Sequence, residues 1–91
     1  MTSAQETLTL LNKVGLHARP ASKFVQTAAH FASTITVFCG ARQANAKSIL
    51  QVLSLGAGGG AEITLHAEGA DADAALEALK QLIADKFGEA E

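Results

Sequence analysis

The chain carries one cysteine, one proline, no tryptophan and no tyrosine, and it has neither a long apolar run nor a marked excess of charge. Each shortage narrows what the protein can be. A single cysteine, Cys39, cannot form an internal disulfide. Set in the run T-I-T-V-F-C, it reads as a small buried hydrophobe rather than a nucleophile. The apolar stretches are short and interrupted, which leaves no candidate for a membrane-spanning helix. The opening M-T-S-A-Q-E lacks the basic and apolar regions of a signal peptide, so a cytoplasmic protein without membrane insertion is expected. A net charge of −2 provides no basic footprint for nucleic acid. Histidines at 17, 30 and 66 lack the spacing of metal ligands, and no cysteine or carboxylate cluster completes a set; neither a metal nor another cofactor is expected. Gly58-Gly59-Gly60 has no following Lys-Ser/Thr, so it reads as a flexible turn rather than a phosphate-binding P-loop.

What the chain does contain is enough apolar residue, 48% of 91 positions, to exclude disorder and to build one modest core, so residues 1–91 form a single domain. E-T-L-T-L-L-N over 6–12 alternates polar with apolar, as a half-buried strand does. Ala21, Phe24, Val25, Ala28 and Phe31 recur at helical spacing over a helix from about 18 to 29. Residues 34–39 and 42–46, broken by Gly40-Ala41, predict a hairpin. Ser48 opens a short helix to about Leu53, residues 61–68 alternate again, and Asp71 is placed to cap a last helix whose apolar stripe runs from Ala75 to Phe87 and which Gly88 ends. The order is β-α-β-β-α-β-α. Alternating strands imply a sheet covered on one face, hence a two-layer α+β domain. The pattern alone also fits a ferredoxin-like split βαβ.

The one proline marks the stretch that carries chemistry. Pro20 has no backbone N–H and a fixed φ near the helical value, so it suits a first helical turn and places the helix start at about His17 or Ala18. Gly15 frees the backbone for the turn into it. The first-turn amides of Ala18 and Arg19 then have no intrahelical acceptor, and they form an anion site that the helix dipole and the Arg19 charge reinforce. A histidine at a helix start is usually a cap or a surface residue. Here His17, Arg19 and Pro20 lie within four residues, and an imidazole beside an anion cradle is suited to taking up a phosphoryl group.

G-L-H-A-R-P-A at 15–21 resembles the phosphorylation-site motif of the HPr family, the histidine-containing phosphocarriers of the bacterial phosphoenolpyruvate:sugar phosphotransferase system. N-A-K-S-I-L-Q-V-L-S-L-G at 45–56 resembles that family's regulatory-serine region, and the likeness extends from about Glu6 to Phe87. The resemblance implies an open-faced β-sandwich: a four-stranded antiparallel sheet in the order 1-4-2-3, with three helices on one face. It implies a carrier that takes a phosphoryl group from phospho-enzyme I on His17, with Arg19 and the Ala18 and Arg19 amides stabilising it, and passes it to IIA domains of sugar permeases. Catalysis would reside mainly in the partners. Ser48 matches the serine phosphorylated by HPr kinase/phosphorylase in some bacteria, an event that links the family to transcriptional regulators. Phe24, Lys47, Ile49, Leu50 and Leu53 match positions where partners dock, and a monomer is expected. Where many relatives carry Met, this chain has Leu50 and Leu53.

Two rival readings stand beside this one. In the first, the protein is mainly a regulatory binding module, in carbon catabolite or nitrogen-branch signalling, driven by Ser48. In the second, it is a small self-contained enzyme with His17 as nucleophile; the lack of a second acid/base or metal set weighs against that.

Overall fold

The structure, a computed structural model, describes residues 2–88. Strand β1 (Ser3–Thr9) leads through a loop to helix α1 (Ala18–Ala28), the hairpin β2 (Thr34–Cys39) and β3 (Arg42–Asn45), helix α2 (Ile49–Ser54), strand β4 (Glu62–Glu68) and helix α3 (Ala72–Ala84). A single-turn 3-10 helix, Lys86–Gly88, follows. The strands form one antiparallel sheet in the order β1-β4-β2-β3. This is the open-faced α+β sandwich with the 1-4-2-3 order, and β1 lies at an edge.

The two faces follow from the pleat. In register, Leu8 faces Ile63, Glu6 faces Leu65 and Ala4 faces Ala67, while Ile35 and Val37 meet Ala67 and Leu65 from the other side. These residues point toward the helices, and Ile35, Val37, Ile63, Leu65 and Ala67 are buried. The alternate residues Gln5, Thr7, Thr64, His66, Thr34 and Thr36 form the uncovered face, where the Thr7 and Thr64 hydroxyls share a 2.9 Å hydrogen bond. Helix α3 packs across β1 and β4, α2 lies over β3, and α1 fits between α2 and α3. Phe24, Leu79, Ile83 and Phe87 fill the interlayer space, each fully buried side chain contributing roughly 1.5–3 kcal/mol.

Several sequence expectations shift in the structure. The first strand begins at Ser3 rather than Glu6 because its partner β4 runs to Glu68, which pairs with Ser3; pairing length, not local alternation, sets its bounds. Glu6 tolerates the helix-facing side because its carboxylate reaches Lys80 of α3 at 3.0 Å, which raises the lysine pKa. Asp71 occupies the N-cap position of α3 but makes no side-chain cap bond. Its carboxylate instead accepts from the Ala32 and Ser33 amides, both at 2.9 Å, and from the Ser33 hydroxyl, tying the β4–α3 turn to the α1–β2 loop. Phe87 does not extend the α3 stripe. The helix ends at Ala84, and Lys86 and Phe87 adopt left-handed φ values of 53° and 56° that fold the ring back into the core. The Lys23 ammonium of α1 holds the Phe87 carbonyl at 2.6 Å, which offsets part of that strain.

Candidate functional site

The loop between β1 and α1 is fixed before it reaches His17. The Leu10 amide donates to Ala61 and the Gly60 amide to Leu10, both at 2.9 Å, so the loop starts as a continuation of the β1–β4 pairing. Buried Asn12 donates its side-chain amide to the Gly15 carbonyl at 2.8 Å. Gly15 is left-handed, at φ +62°, and lies so close to Gly58 that a Cβ would sit 2.3 Å from the Gly58 carbonyl carbon. A Cβ on Gly59 would lie 2.1 Å from the Lys13 oxygen. The Leu16 amide closes the contact by donating to the Ala57 carbonyl at 2.8 Å. Backbone meets backbone here, and only glycine permits it. Within the glycine run read as a flexible turn, the Gly58 and Gly59 backbones therefore form the packed half of a pedestal under the site, while Gly60 turns the chain at φ +85°. Asn12 is the positioning residue that sequence reasoning missed, and nothing in the pattern around it marked it; Gly58 and Gly59 lack positive φ, so close approach rather than a left-handed backbone accounts for them.

His17 is the N-cap of α1, with extended backbone at φ −87° and ψ −173°, and its imidazole makes no capping hydrogen bond. The helix's first bond runs from the Ala21 amide to the His17 carbonyl at 2.7 Å. Between them Pro20 has no N–H to offer, so the amides of Ala18 and Arg19 are the first-turn donors left without an intrahelical acceptor. His17, Ala18 and Arg19 are exposed, Pro20 is buried beneath them, and no acidic residue stands in the first turn. The result is an exposed site: an unengaged ring, two backbone donors and a guanidinium on one helix end, with a field that favours an anion. Two shallow clefts, about 390 Å³ between Thr27 and Gln81 and about 280 Å³ around Thr36, Gln43 and Gln51, lie elsewhere and are not lined by His17. Such an exposed site can present a group to another protein.

Ser48 is the N-cap of α2 and accepts from the Gln51 amide at 3.4 Å, a long bond for a half-buried hydroxyl. The turn before it is ordered by Asn45, whose side-chain oxygen accepts from the Lys47 amide at 2.9 Å and whose own amide donates to Gln51 at 2.8 Å. On α2, Val52 is buried, whereas Ile49 and Leu53 are each 38% exposed and Leu50 is 77% exposed. These three side chains are surface, not core. Two other positions taken as docking residues fare differently. Phe24, named through the resemblance, is fully buried, because it belongs to the apolar stripe that α1 turns toward the core, so it supports the helix rather than facing a partner. Lys47 is half-buried, and its ammonium donates to the Phe31 carbonyl at 2.6 Å, binding the start of α2 to the loop after α1.

The remaining reactive side chains are scattered. His30 is exposed beyond the end of α1, His66 is half-buried on the uncovered face between Gln5 and Thr36, and Cys39 is half-buried at the end of β2. No group of three or more His, Cys, Asp or Glu among the described residues is placed to hold a metal ion. No helix among them is long and apolar enough to cross a membrane.

Comparison with known proteins gives a consistent result. Residues 4–85 match the protein family described as the PTS HPr component phosphorylation site. The chain is 45% identical over 87 residues to phosphocarrier protein HPr of Cupriavidus necator, covering 96% of this chain and 98% of that one. It is 46% identical over 90 residues to phosphocarrier protein NPr of Shewanella violacea, covering 99% of each. The crystal structure of HPr-C-His from Thermoanaerobacter tengcongensis superposes with a TM-score of 0.94 at 48% identity, covering 97% of this chain and 99% of that one.

Proposed function

The chain belongs to the HPr family of phosphotransferase-system phosphocarriers, and from that premise we propose that His17 is the residue that carries the phosphoryl group. The observation that supports this most is the exposed imidazole at the N-cap of α1, free of any capping bond and beside the first-turn amides of Ala18 and Arg19. In the step we infer, a lone pair on one His17 ring nitrogen forms a P–N bond while the P–N bond of the donor's phosphohistidine breaks. The electron pair returns to the donor imidazole. Transfer onward to a IIA domain repeats the exchange in the other direction, with histidine again replacing histidine, so the bond broken and the bond formed are of one kind and the step is reversible. The Ala18 and Arg19 amides and the Arg19 guanidinium meet the phosphoryl oxygens, holding the group without trapping it. Enzyme I is the donor in this reading and IIA domains of sugar permeases are the acceptors. Ile49, Leu50 and Leu53 supply apolar contact to both, and the protein works as a monomer within the cytoplasm.

Incubation with phosphoenolpyruvate and enzyme I tests the assignment. The wild-type chain gains one acid-labile phosphate and His17→Ala gains none, with its fold intact; acid-labile phosphate on His17→Ala would refute the assignment.

Ser48 is the proposed regulatory site. Its weak cap leaves the hydroxyl little engaged, and a phosphate there would add about −1.5 to −2 charge beside the docking residues of α2. Phosphate on Ser48 that depends on an ATP-using HPr kinase supports the assignment, and its absence with that kinase present refutes it. A second reading, service in a nitrogen-regulatory branch rather than in sugar uptake, is favoured by the similarity to an NPr protein over 99% of both chains. Rates of transfer from the two types of enzyme I decide between them.

A further inference from the structure

The stretch S-I-L-Q at 48–51 has the spacing of a capping box, in which the N-cap hydroxyl takes an amide of the first turn and the glutamine side chain reaches back to the N-cap amide. The first arm is made, but weakly, by the 3.4 Å bond from the Gln51 amide to the Ser48 hydroxyl. The second arm is diverted. The Ser48 amide donates to the Asn45 carbonyl at 3.0 Å, and the Gln51 side-chain oxygen accepts from the Asn45 amide at 2.8 Å. Asn45 has both groups to offer because it ends β3, an edge strand. Its neighbour Ala46 donates to Ile35 of β2 at 2.9 Å, so alternation along the strand turns the N–H and C=O of Asn45 away from the sheet. Gln51 therefore covers a donor that would otherwise stand open at the sheet edge.

What these bonds secure is a helix with little hold of its own. Helix α2 has six residues and one buried side chain, Val52, and so short a helix does not persist on its internal hydrogen bonds. Its far end is tied to the same strand: the Arg42 guanidinium of β3 donates to the Ser54 carbonyl at 3.1 Å, and the Ser54 hydroxyl donates to the Gln51 carbonyl at 2.7 Å. At the near end the two side-chain bonds are unequal. The Ser48 bond is long and stays within the first turn, whereas the Gln51 bond is short and crosses to β3. Phosphorylation of Ser48 removes the weaker of the two. A bond forms from the Ser48 oxygen to the γ-phosphorus of ATP, the bond to the β,γ-bridging oxygen breaks to release ADP, and the hydroxyl proton leaves. The ester oxygen that results is a poor acceptor for the Gln51 amide, while the Gln51 side chain takes no part in the step.

We propose that Gln51 is the positioning residue of the Ser48 site: its side chain holds the start of α2 on the edge of β3, so that the Ser48 hydroxyl can be given up to a phosphate while the helix keeps its place. This rests on the reading of Ser48 above, and the experiment separates the two. Amide hydrogen exchange at Asn45 and Val52 is followed by NMR in the wild type, Ser48→Ala, Gln51→Met, Gln51→Glu and the pair Ser48→Ala/Gln51→Met. Ser48→Ala alone changes both rates by less than about threefold. Gln51→Met keeps the length of the side chain and removes its acceptor, and it speeds both roughly tenfold; Gln51→Glu keeps an acceptor and restores the wild-type rates. In the pair, Val52 exchanges faster than the product of the two single effects, because cap and clamp fail together. Gln51 is exposed, so exchange at Leu65 in the middle of β4 stays at the wild-type rate throughout. After phosphorylation by an ATP-using kinase, Val52 of the wild type stays within about threefold of its unmodified rate, and Val52 of Gln51→Met speeds up roughly tenfold more. An Asn45 rate unchanged in Gln51→Met, no rescue by Gln51→Glu, faster exchange at Leu65, or an α2 loosened by Ser48→Ala alone overturns this inference and leaves Ser48 in place. A wild-type chain that takes no phosphate from the kinase overturns the reading of Ser48 instead, and the unmodified variants still decide the role of Gln51.

Discussion

Three glycines allow the pedestal under His17 to be tested by separating backbone strain from steric contact. Gly40 has a left-handed φ of +60° with nothing within 4 Å of its would-be Cβ, so Gly40→Ala introduces strain alone. Left-handed alanine costs ~1–2 kcal/mol, and the stiffer unfolded chain returns ~0.4–1 kcal/mol, for a net loss near ~1 kcal/mol. Gly59 has no positive φ, but its Cβ would lie 2.1 Å from the Lys13 oxygen, so Gly59→Ala introduces contact alone. Gly15 combines the two, at φ +62° with a Cβ 2.3 Å from Gly58 and 2.4 Å from the Ala57 oxygen. Relief requires the two backbones to part by about an ångström, which breaks the 2.8 Å bond from Leu16 to Ala57. Losing that bond costs ~1 kcal/mol and the forced packing another ~1–3 kcal/mol, which with ~1 kcal/mol of left-handed strain makes the loss in Gly15→Ala ~3–5 kcal/mol in all. Equilibrium denaturation in guanidinium ranks the three variants Gly15, Gly59, Gly40 from most to least damaging, and phosphoryl acceptance falls in Gly15→Ala and Gly59→Ala but not in Gly40→Ala. A Gly15→Ala variant no less stable than Gly40→Ala would refute the close-packed pedestal.

Other substitutions probe the rest of the molecule. Phe87→Ala removes a fully buried ring from the terminal turn and costs ~3–5 kcal/mol in the same denaturation experiment; a loss under 1 kcal/mol would mean that the turn does not anchor the core. Ser48→Ala costs no more than ~0.5 kcal/mol, the low end for a cap, because the bond it removes is 3.4 Å long. Functional loss in that variant can then be assigned to regulation rather than to unfolding. The Asp71 carboxyl is held below its ordinary value of 3.8 by the Ser33 hydroxyl and then by the Ala32 amide. A depressed folded pKa means stability that is complete above the unfolded value and is lost as pH falls through the folded one. The denaturation midpoint therefore drops below about pH 4 in the wild type and drops less in Asp71→Asn; equal slopes would remove Asp71 from the acid response.

Much of this arrangement was legible in the residues because local rules decided it. Pro20 could occupy only a first helical turn, and that alone put His17 at a helix entrance; the alternation of Ile63, Leu65 and Ala67 required one covered face. Strand order was not legible in the pattern, since β1 and β2 each pair with β4 across long stretches of chain, and it entered through family likeness. The errors have a common cause. Asp71 stands where a cap belongs, yet its carboxylate finds stronger donors at Ala32 and Ser33, 38 or more positions away in sequence. Phe87 continues a helical period, yet the helix stops at Ala84 and the ring reaches the core by a backbone reversal. Phe24 lies seven residues after His17, yet its ring is fully buried in the core while the imidazole is exposed. Asn12 and Gly59 carry no periodic signal, because each meets a segment that is distant or turned back on itself.

The separation between what stabilises this fold and what serves its site explains how a domain of this size can be a carrier. His17, Arg19 and Leu50 are exposed, so the core and sheet lose little if any of them changes. In the proposed reading of His17, reactivity then depends on how firmly the helix entrance is held, since a phosphoryl group in transit would meet the same donors at each exchange. That rigidity comes from residues that never face a partner: Asn12 on the Gly15 carbonyl, Leu16 on Ala57, and Gly58 and Gly59 beneath. Stability and transfer are coupled only there. Substitutions on the surface alter KM, those in the core alter stability, and those in the pedestal alter both stability and kcat, a division that measuring the three quantities on one variant set can disprove.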